Sequence, residues 1–355
     1  MTLSIRAFRL APIAALLVGF GTAHAMSNNT APSNWRFDSA WTVKGVGGDG
    51  VARLYFDSDG SIDNGGYICS GTLLAGGAYV LTAGHCADNF NVMKIEFGIN
   101  NDVATATRGA AAAYLKPGWN GTLATGADMA IIKLDAPVVG IKGFNIDTNS
   151  ALGKNVLMMG YGTTSVGNRI GDVNWDEWGH GHYGYNTFDV TSKVFLDAWD
   201  PDGSKGDGPG NNTYGEEYVA DYDSGRAGNN TLGIVAGMTG NLWTSDTGGT
   251  PESIITGGDS GGGDFVWNGS EWLVTGVHSW GWQFCYGRIS PSCDFSRFNS
   301  GSWGDLMAST AVYSNVDWIN SVVAVPEPET YALMLAGLAA VAGIESCFNP
   351  QNSSA

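Results

Sequence analysis

Short apolar runs separated by glycine-rich turns fill most of the chain, and this pattern constrains the fold more than any other feature. Glycine accounts for 53 of the 355 residues, and its backbone freedom suits tight turns between strands. Long helical periodicity is absent from the first half of the chain. Strand character occurs at 51–56, 67–74, 78–82, 92–97, 110–115, 129–134 and 156–161. Many short strands with such turns predict an all-β sandwich or barrel.

The pattern weakens after residue 163, where Gly, Asn and Asp become frequent. We interpret residues 165–250 as a long, loop-rich insertion, with strand-like pieces at 191–196, 217–222 and 232–235. Regular strands return at 264–267, 272–279 and 310–313. Apolar residues at helical spacing within 316–323 predict a short C-terminal helix.

Charge and composition limit the classes of partner. The formal net charge is -17, so the chain lacks the Lys and Arg excess that phosphate contacts need, and we expect no nucleic-acid partner. Hydrophobic residues make up 43% of the chain. A chain of this length and composition buries a sizeable core.

Both ends carry export features. Residues 1–25 have a basic start, an apolar stretch and Ala-His-Ala before Met26, as in a cleaved signal peptide, which places the mature chain outside the cytoplasm. Residues 324–355 contain Pro-Glu-Pro and a short apolar stretch. This tail resembles the PEP-CTERM sorting signal of exported Gram-negative proteins, although the usual basic cluster is missing. The resemblance implies sorting or processing machinery as a partner and a secreted, periplasmic or cell-surface location.

Three segments carry residues suited to nucleophilic catalysis. His85 follows an apolar strand in VLTAGHC, and Asp128 opens a buried strand in ADMAIIKL. Ser260 lies in GGDSGGG, where small neighbours leave backbone N–H groups accessible to a ligand. A histidine that moves protons near neutral pH, a carboxylate and a serine are the parts needed for acyl transfer.

In this order, the three segments resemble those of the chymotrypsin-fold, trypsin-like serine proteases. VHSWG at 277–281 and AVYSNV at 311–316 are similar to two further segments of that family. The resemblance covers residues 45–323, less the region 165–250, which matches only loosely. It implies two six-stranded antiparallel β-barrels, an endopeptidase acting on protein or peptide substrates, and no cofactor. The predicted organisation is a signal peptide at 1–25, an N-terminal or pro segment at 26–44, the protease domain and the sorting tail.

The resemblance also implies residue roles. Ser260 is the nucleophile, His85 the general base, and Asp128 the residue that orients His85. The N–H groups of Gly258 and Ser260 form the oxyanion hole. Ser279 donates a hydrogen bond to Asp128 and lines the substrate cleft.

Four residues are assigned by the same resemblance to substrate binding. Ile254 occupies the position that forms the floor of the primary specificity pocket in the family. Gly281 and Ala311 match two wall positions, and Trp280 lies on the cleft strand between Ser279 and Gly281. An isoleucine floor predicts an apolar pocket that prefers aromatic or aliphatic side chains at P1.

Five cysteines fit the resemblance in part. Cys69 and Cys86 match the family's histidine-loop disulfide. In many relatives a cysteine stands where this chain has Thr256, so a local Cys285–Cys293 bridge is the preferred second pair. The fifth cysteine lies in the C-terminal tail. The cysteines and histidines show no zinc-ligand spacing, and we expect no metal site there.

Activation and calcium binding are two open hypotheses. In the family, cleavage frees a terminal amine that pairs with the aspartate before the nucleophile, here Asp259. Lys44 followed by Gly45 offers such a cleavage site, although Gly45 replaces the usual isoleucine. Separately, the insertion contains four acidic residues that form either a Ca²⁺ loop or a solvated loop: Asp197, Asp200, Asp202 and Asp207. We expect His180 and His182 at the surface.

Three alternatives to an active protease remain. The chain is an inactive relative, an esterase with the same triad, or a non-catalytic surface or matrix protein that uses the scaffold for binding. Covalent labelling of Ser260 and turnover of peptides against esters distinguish them.

Overall fold

The computed structural model describes residues 26–38, 41–62, 66–167, 177–200, 215–240, 243, 252–282 and 301–324. Its strands are β1 Ser27–Asn28, β2 Arg36–Phe37, β3 Thr42–Val43, β4 Val46–Gly47, β5 Val51–Asp57, β6 Tyr67–Leu73, β7 Tyr79–Thr82, β8 Val92–Asn100, β9 Val103–Leu115, β10 Ala130–Leu134, β11 Asn145–Ile146, β12 Asn155–Gly160, β13 Ser165–Val166, β14 Gly181–Thr187, β15 Val190–Thr191, β16 Glu217–Asp221, β17 Ser253–Ile254, β18 Gly263–Trp267, β19 Trp272–Trp282 and β20 Leu306–Ala311. The helices are α1 Ser192–Trp199, α2 Thr231–Thr239 and α3 Val316–Val323.

Two compact units divide the chain, Met1–Val316 and Asp317–Ala355. The first unit contains all of these strands, and the second begins within α3. No helix among the described residues is long and apolar enough to cross a membrane.

The first half of the larger unit is a closed six-stranded barrel in the order β10-β7-β6-β5-β8-β9. Every neighbouring pair around it is antiparallel. Its interior side chains come from strands with long buried runs, such as Leu54, Leu73, Val80, Ile95 and Ile132, which the register places on one face. The predicted strands at 51–56, 67–74, 78–82 and 92–97 are therefore confirmed as barrel strands.

A bent strand closes the second barrel. β14 pairs with β12, and after Phe188 and Asp189 the chain continues as β15, which pairs with β16. The remaining order, β16-β20-β19-β18-β12, completes the circuit. The Asn186 amide reinforces the closure because it donates to the carbonyl of Asp221 at 2.7 Å. The chymotrypsin-like, mostly β architecture predicted from the sequence is thus confirmed, including the short C-terminal helix.

The region 165–250 differs from the predicted insertion. Its described part supplies β14, β15 and β16 of the second barrel, so it is not simply an addition to the fold. The predicted strand at 217–222 is confirmed as β16, whereas 191–196 and 232–235 lie largely in α1 and α2. Both helices have N-caps: Thr191 accepts from the N–H of Val194, and Asn230 accepts from that of Gly233.

Candidate active site

Strand pairing brings His85 to Asp128. β7 pairs with β10 so that Thr82 lies opposite Ala130. The residues just beyond these strand ends, His85 after β7 and Asp128 before β10, therefore meet at one edge of the first barrel. Gly84 permits the approach, since a Cβ at this position would lie 2.9 Å from the Trp119 ring and 3.2 Å from the Asp128 carboxylate.

The carboxylate of Asp128 fixes the orientation of the His85 ring. Its Oδ2 lies 2.8 Å and its Oδ1 3.1 Å from Nδ1 of His85. Oδ1 also accepts the backbone N–H of His85 at 2.9 Å. Asp128 is fully buried, while 29% of the His85 side chain is exposed. With its Nδ1–H directed to Asp128, the imidazole leaves Nε2 free to accept a proton.

Electrostatics around His85 favour its protonated form. Burial of the ring opposes protonation, but the charge and the hydrogen bond of Asp128 outweigh that desolvation and raise the pKa of His85 above its usual value. The pair is therefore suited to stabilise a positive charge that develops on the imidazole during a reaction.

The second barrel also holds Asp128. Ser279 donates from Oγ to Oδ2 of Asp128 at 2.5 Å, and Thr310 donates to its backbone carbonyl at 3.0 Å. Ser279 lies where the register between β19 and β20 shifts, between His278 and Trp280. Such a bulge re-aims a side chain out of the regular alternation. The predicted contact between Ser279 and Asp128 is present.

The Ser260 turn lies against the strand and the turn that carry His85. The carbonyl of Ser260 accepts the N–H of Ser70 at 2.8 Å and lies 3.5 Å from Sγ of Cys86, the residue after His85. Gly261 has a φ of +80°, and a Cβ there would lie 2.8 Å from the backbone nitrogen of Ala83. Glycine is required because both the backbone angle and the space exclude a side chain.

Two N–H groups of this turn are open to a ligand. Gly258 has a φ of +95°, a left-handed conformation that glycine adopts easily. Within the described parts of the chain, neither the N–H of Gly258 nor that of Ser260 donates to a protein acceptor. Neighbouring N–H groups without internal partners are suited to bind a developing oxyanion.

The carboxylate of Asp259 holds the Ser260 turn in place by accepting three backbone N–H groups. Its Oδ1 accepts the N–H of Gly162, and its Oδ2 accepts the N–H groups of Thr256 and Met26, each at 2.9 Å. The carboxylate is fully buried, and this desolvation raises its pKa despite the hydrogen bonds and the charge of His278. The sequence singled out Asp259 but did not predict Met26 as its partner.

His278 and Asp264 form a second buried pair next to the turn, which no sequence pattern predicted. Nε2 of His278 lies 3.1 Å from Asp264 Oδ1, and its Nδ1 lies 3.1 Å from the carbonyl of Asp259. Burial opposes protonation of His278, but Asp264 outweighs it and the pKa is raised. His182 is likewise fully buried, so the expectation of a surface residue was wrong; β14 directs it inward beside Glu177.

The predicted specificity residues lie at different depths. Trp280 and Gly281 are partly exposed and exposed, on the part of β19 that follows Ser279. Ile254 and Ala311 have almost no exposed surface and belong to the apolar core of the second barrel. Whether Ile254 forms a pocket floor stays a prediction.

Glu217 is a buried acid in contact with Trp280, and the sequence patterns did not single it out. Its carboxylate accepts the indole N–H of Trp280 at 3.2 Å and the N–H of Gly126 at 3.3 Å. Complete burial raises the pKa of Glu217 to about 7. A glutamate opening a strand of otherwise buried residues, EYVAD, is the signal that was available in the sequence.

The Cys69–Cys86 disulfide is present and ties β6 to the turn of His85. The sulfurs and His85 also form the one group of three possible metal ligands in the described residues. Because the sulfurs are bonded to each other, they offer no thiolates to a metal. Cys285 and Cys293 lie outside the described residues.

The structure describes only two of the four acidic residues that were considered as a Ca²⁺ loop or a solvated loop. Asp197 pairs with Lys193 at 2.5 Å, and Asp200 is largely buried at the end of α1. Asp202 and Asp207 lie outside the described residues, so the choice between a Ca²⁺ loop and a solvated loop stays open.

Residues 46–177 match the family model described as Trypsin. Structural similarity was found to HL collagenase, with 17% identity, a TM-score of 0.49 and coverage of 78% of this chain and 94% of that one. It was also found to the protease Anisep from Arthrobacter nicotinovorans, with 18% identity, a TM-score of 0.41 and coverage of 74% and 90%. No curated protein matches the sequence significantly. The matched residues include the closed barrel, β5 to β10, so this part of the chain is similar to the Trypsin family.

Proposed function

We propose that this protein is an exported serine endopeptidase that cleaves peptide bonds through an acyl-enzyme. The observations that carry the proposal are the His85–Asp128 pair, in which Asp128 binds Nδ1 and leaves Nε2 to act as the base, and the two open N–H groups of the Ser260 turn. A protein that used this scaffold only for binding would need neither the buried carboxylate nor the open donors.

The proposed reaction uses these groups as the resemblance to the trypsin-like proteases implies. Nε2 of His85 takes the proton of the Ser260 hydroxyl as its oxygen bonds to the substrate carbonyl carbon. Asp128 stabilises the resulting imidazolium, and the N–H groups of Gly258 and Ser260 stabilise the oxyanion. His85 then protonates the leaving amine. Water, activated by His85, releases the acyl group and restores Ser260.

A fluorophosphonate probe tests the proposal. We expect the wild type to be labelled at Ser260 and to hydrolyse peptides, and Ser260→Ala to lose labelling and roughly 10⁴–10⁶ of kcat. Ser270→Ala, at an exposed turn, is the matched control and should retain both. Absence of labelling and hydrolysis in the correctly folded wild type would favour the binding-protein alternative. Labelling with turnover of esters but not peptides would favour an esterase.

The apolar character of Ile254 and Ala311 supports a preference for aromatic or aliphatic P1 side chains. No acidic side chain stands at Ile254 to pair with a P1 cation. Chromogenic peptides that differ only at P1 test this preference. A higher kcat/KM for Arg than for Phe would overturn it.

Export and sorting rest on the sequence features at the two ends. We propose that residues 1–25 are removed on export and that 324–355 engage a sorting or processing partner. Intact-mass measurement of the protein recovered from each cell fraction of a Gram-negative host tests both. Retention of residues 1–25 in extracytoplasmic material, or an unmodified tail in released protein, would contradict the respective part.

A further inference from the structure

Met26 is the first residue after the predicted signal-cleavage site, and the structure holds it at the base of the Ser260 turn. Its backbone nitrogen donates to Oδ2 of Asp259 at 2.9 Å, and both residues are completely buried. The Met26 side chain belongs to the core cluster of the second barrel. This position is therefore an integral part of the protease fold.

The residues after Met26 are anchored as firmly. β1 pairs with β13 on one side and with β17 on the other, where Ser27 lies opposite Ile254. The carbonyl of Asn28 accepts the N–H of Gly167. β2 and β3 add further pairings with β14 and β4. The described part of 26–44 is thus built into the domain, which is the opposite of what a removable pro segment requires.

The alternative cleavage site lies elsewhere in the fold. Lys44 and Gly45 form the two-residue turn between β3 and β4, both with positive φ. The Lys44 ammonium lies 4.8 Å from the centre of the Trp267 ring. The nitrogen at Asp259 is that of Met26, so cleavage after Lys44 would not supply the amine to this carboxylate without displacing β1.

We infer that removal of residues 1–25 is itself the activating cleavage: it frees the Met26 α-amine, whose ammonium forms a buried ion pair with Asp259 and fixes the Ser260 turn. The inference rests on the proposed peptidase function. Hydrolysis of the Ala25–Met26 bond consumes one water and leaves a carboxylate on Ala25 and an amine on Met26. Signal removal and activation are then one event, with no second zymogen cleavage.

Charge and backbone geometry both favour the cleaved form. In the uncleaved chain Asp259 faces an amide N–H, a partial charge, whereas the freed terminus presents a full positive charge to the same oxygen. Two other titratable cations of the described residues lie near this carboxylate: His278, which is engaged by Asp264, and His182, which is engaged by Glu177. Met26 also has a φ of +50°. This angle strains a non-glycine residue through the preceding carbonyl, and cleavage removes that carbonyl.

The position of Asp259 links this ion pair to catalysis. It directly precedes Ser260, and its backbone carbonyl accepts the N–H of Gly262. Because its carboxylate also holds the N–H groups of Thr256 and Gly162, its placement sets the turn that carries the open N–H groups of Gly258 and Ser260. A carboxylate that loses its charged partner is expected to loosen this turn.

The test compares two proteins, each released from a fusion partner without extra residues. The first is 26–355 with a free Met26 amine, and the second is the same chain extended at its N-terminus by the natural Ala25. We expect the extended form to lose about 100-fold or more in kcat/KM and in the rate of fluorophosphonate labelling. Met26→Leu with a free amine should remain active, since the amine and an apolar side chain are retained. With Asp259→Asn, the free and extended forms should have equal, low activity.

The outcomes separate the two proposals. Equal activity of the free and extended forms would overturn the activating cleavage and leave the peptidase intact. Absence of labelling and hydrolysis in both forms, each folded by circular dichroism, would overturn the peptidase itself. Active protein exported from a Gram-negative host should begin at Met26 on N-terminal sequencing, whereas a start at Gly45 would contradict the inference.

Discussion

At the scale of single residues, Asp128 links the two barrels. It receives the imidazole and backbone N–H of His85 from one barrel and the hydroxyl of Ser279 from the other. Complete burial leaves its charge unscreened by water, so its effect on the His85 ring is large. This arrangement has a direct kinetic consequence.

Activity should depend on pH through His85. In the proposed reaction the imidazole must be neutral to accept the serine proton, and Asp128 raises its pKa against the opposing effect of burial. We therefore expect kcat/KM to fall as the pH decreases through a midpoint above about 6.5, the usual pKa of histidine. Asp128→Asn should lower kcat by about 10⁴ and move the midpoint to lower pH.

Ser279→Ala provides the matched control for this experiment. It removes one hydrogen bond from the carboxylate but keeps the charge, so the acid limb should move much less than in Asp128→Asn. An Asp128→Asn profile with an unchanged midpoint would show that another group sets the limb.

At the scale of elements, the sequence predicted strands and strand ends correctly where a local pattern determines the structure. Strand periodicity predicted β5 to β8, and the three motif segments predicted which strand ends carry His85 and Asp128. The prediction of strands at α1 and α2 was wrong, because both segments are short and rich in β-branched or apolar residues. Their caps, Thr191 and Asn230 with Gly240, were the available signals.

Long-range partners were beyond the sequence. Met26 and Asp259 are 233 positions apart, and no periodicity relates them. The pairing of β1 with β17 exists only once the second barrel has closed. For the same reason, Glu217 could not be assigned to the Trp280 indole from spacing alone.

The Cys69–Cys86 disulfide makes a testable contribution at this scale. It closes a loop with a sequence separation of 17 residues and joins β6 to the turn of His85. Chain entropy predicts a loss of about 3 kcal/mol for the Cys69→Ser, Cys86→Ser double variant. Denaturant unfolding at neutral pH measures the loss. An unchanged free energy of unfolding would mean that the constraint on the unfolded chain is negligible.

At the scale of the whole molecule, this acidic chain keeps several of its carboxylates completely buried. Asp128, Asp259 and Asp264 each face a histidine or a set of N–H donors. Glu217 differs because its described hydrogen-bond partners are uncharged: the indole of Trp280, the backbone N–H of Gly126 and the hydroxyl of Ser192. The stability of the fold should therefore depend on Glu217 as the pH rises towards neutrality.

The pH dependence of unfolding tests this conclusion. The folded-state pKa of Glu217 is raised to about 7, against about 4.3 in an unfolded chain. The unfolded chain thus loses the proton first, so the stabilisation is fully present below pH about 4.3 and is lost as the pH rises to about 7. The difference corresponds to on the order of 3 kcal/mol.

In Glu217→Gln this component should disappear, so the difference in unfolding free energy between variant and wild type should change across that interval. Urea unfolding at a series of pH values measures it, with Glu271→Gln, a partly exposed acid, as the control. A constant gap between Glu217→Gln and wild type over the interval would show that Glu217 does not titrate there.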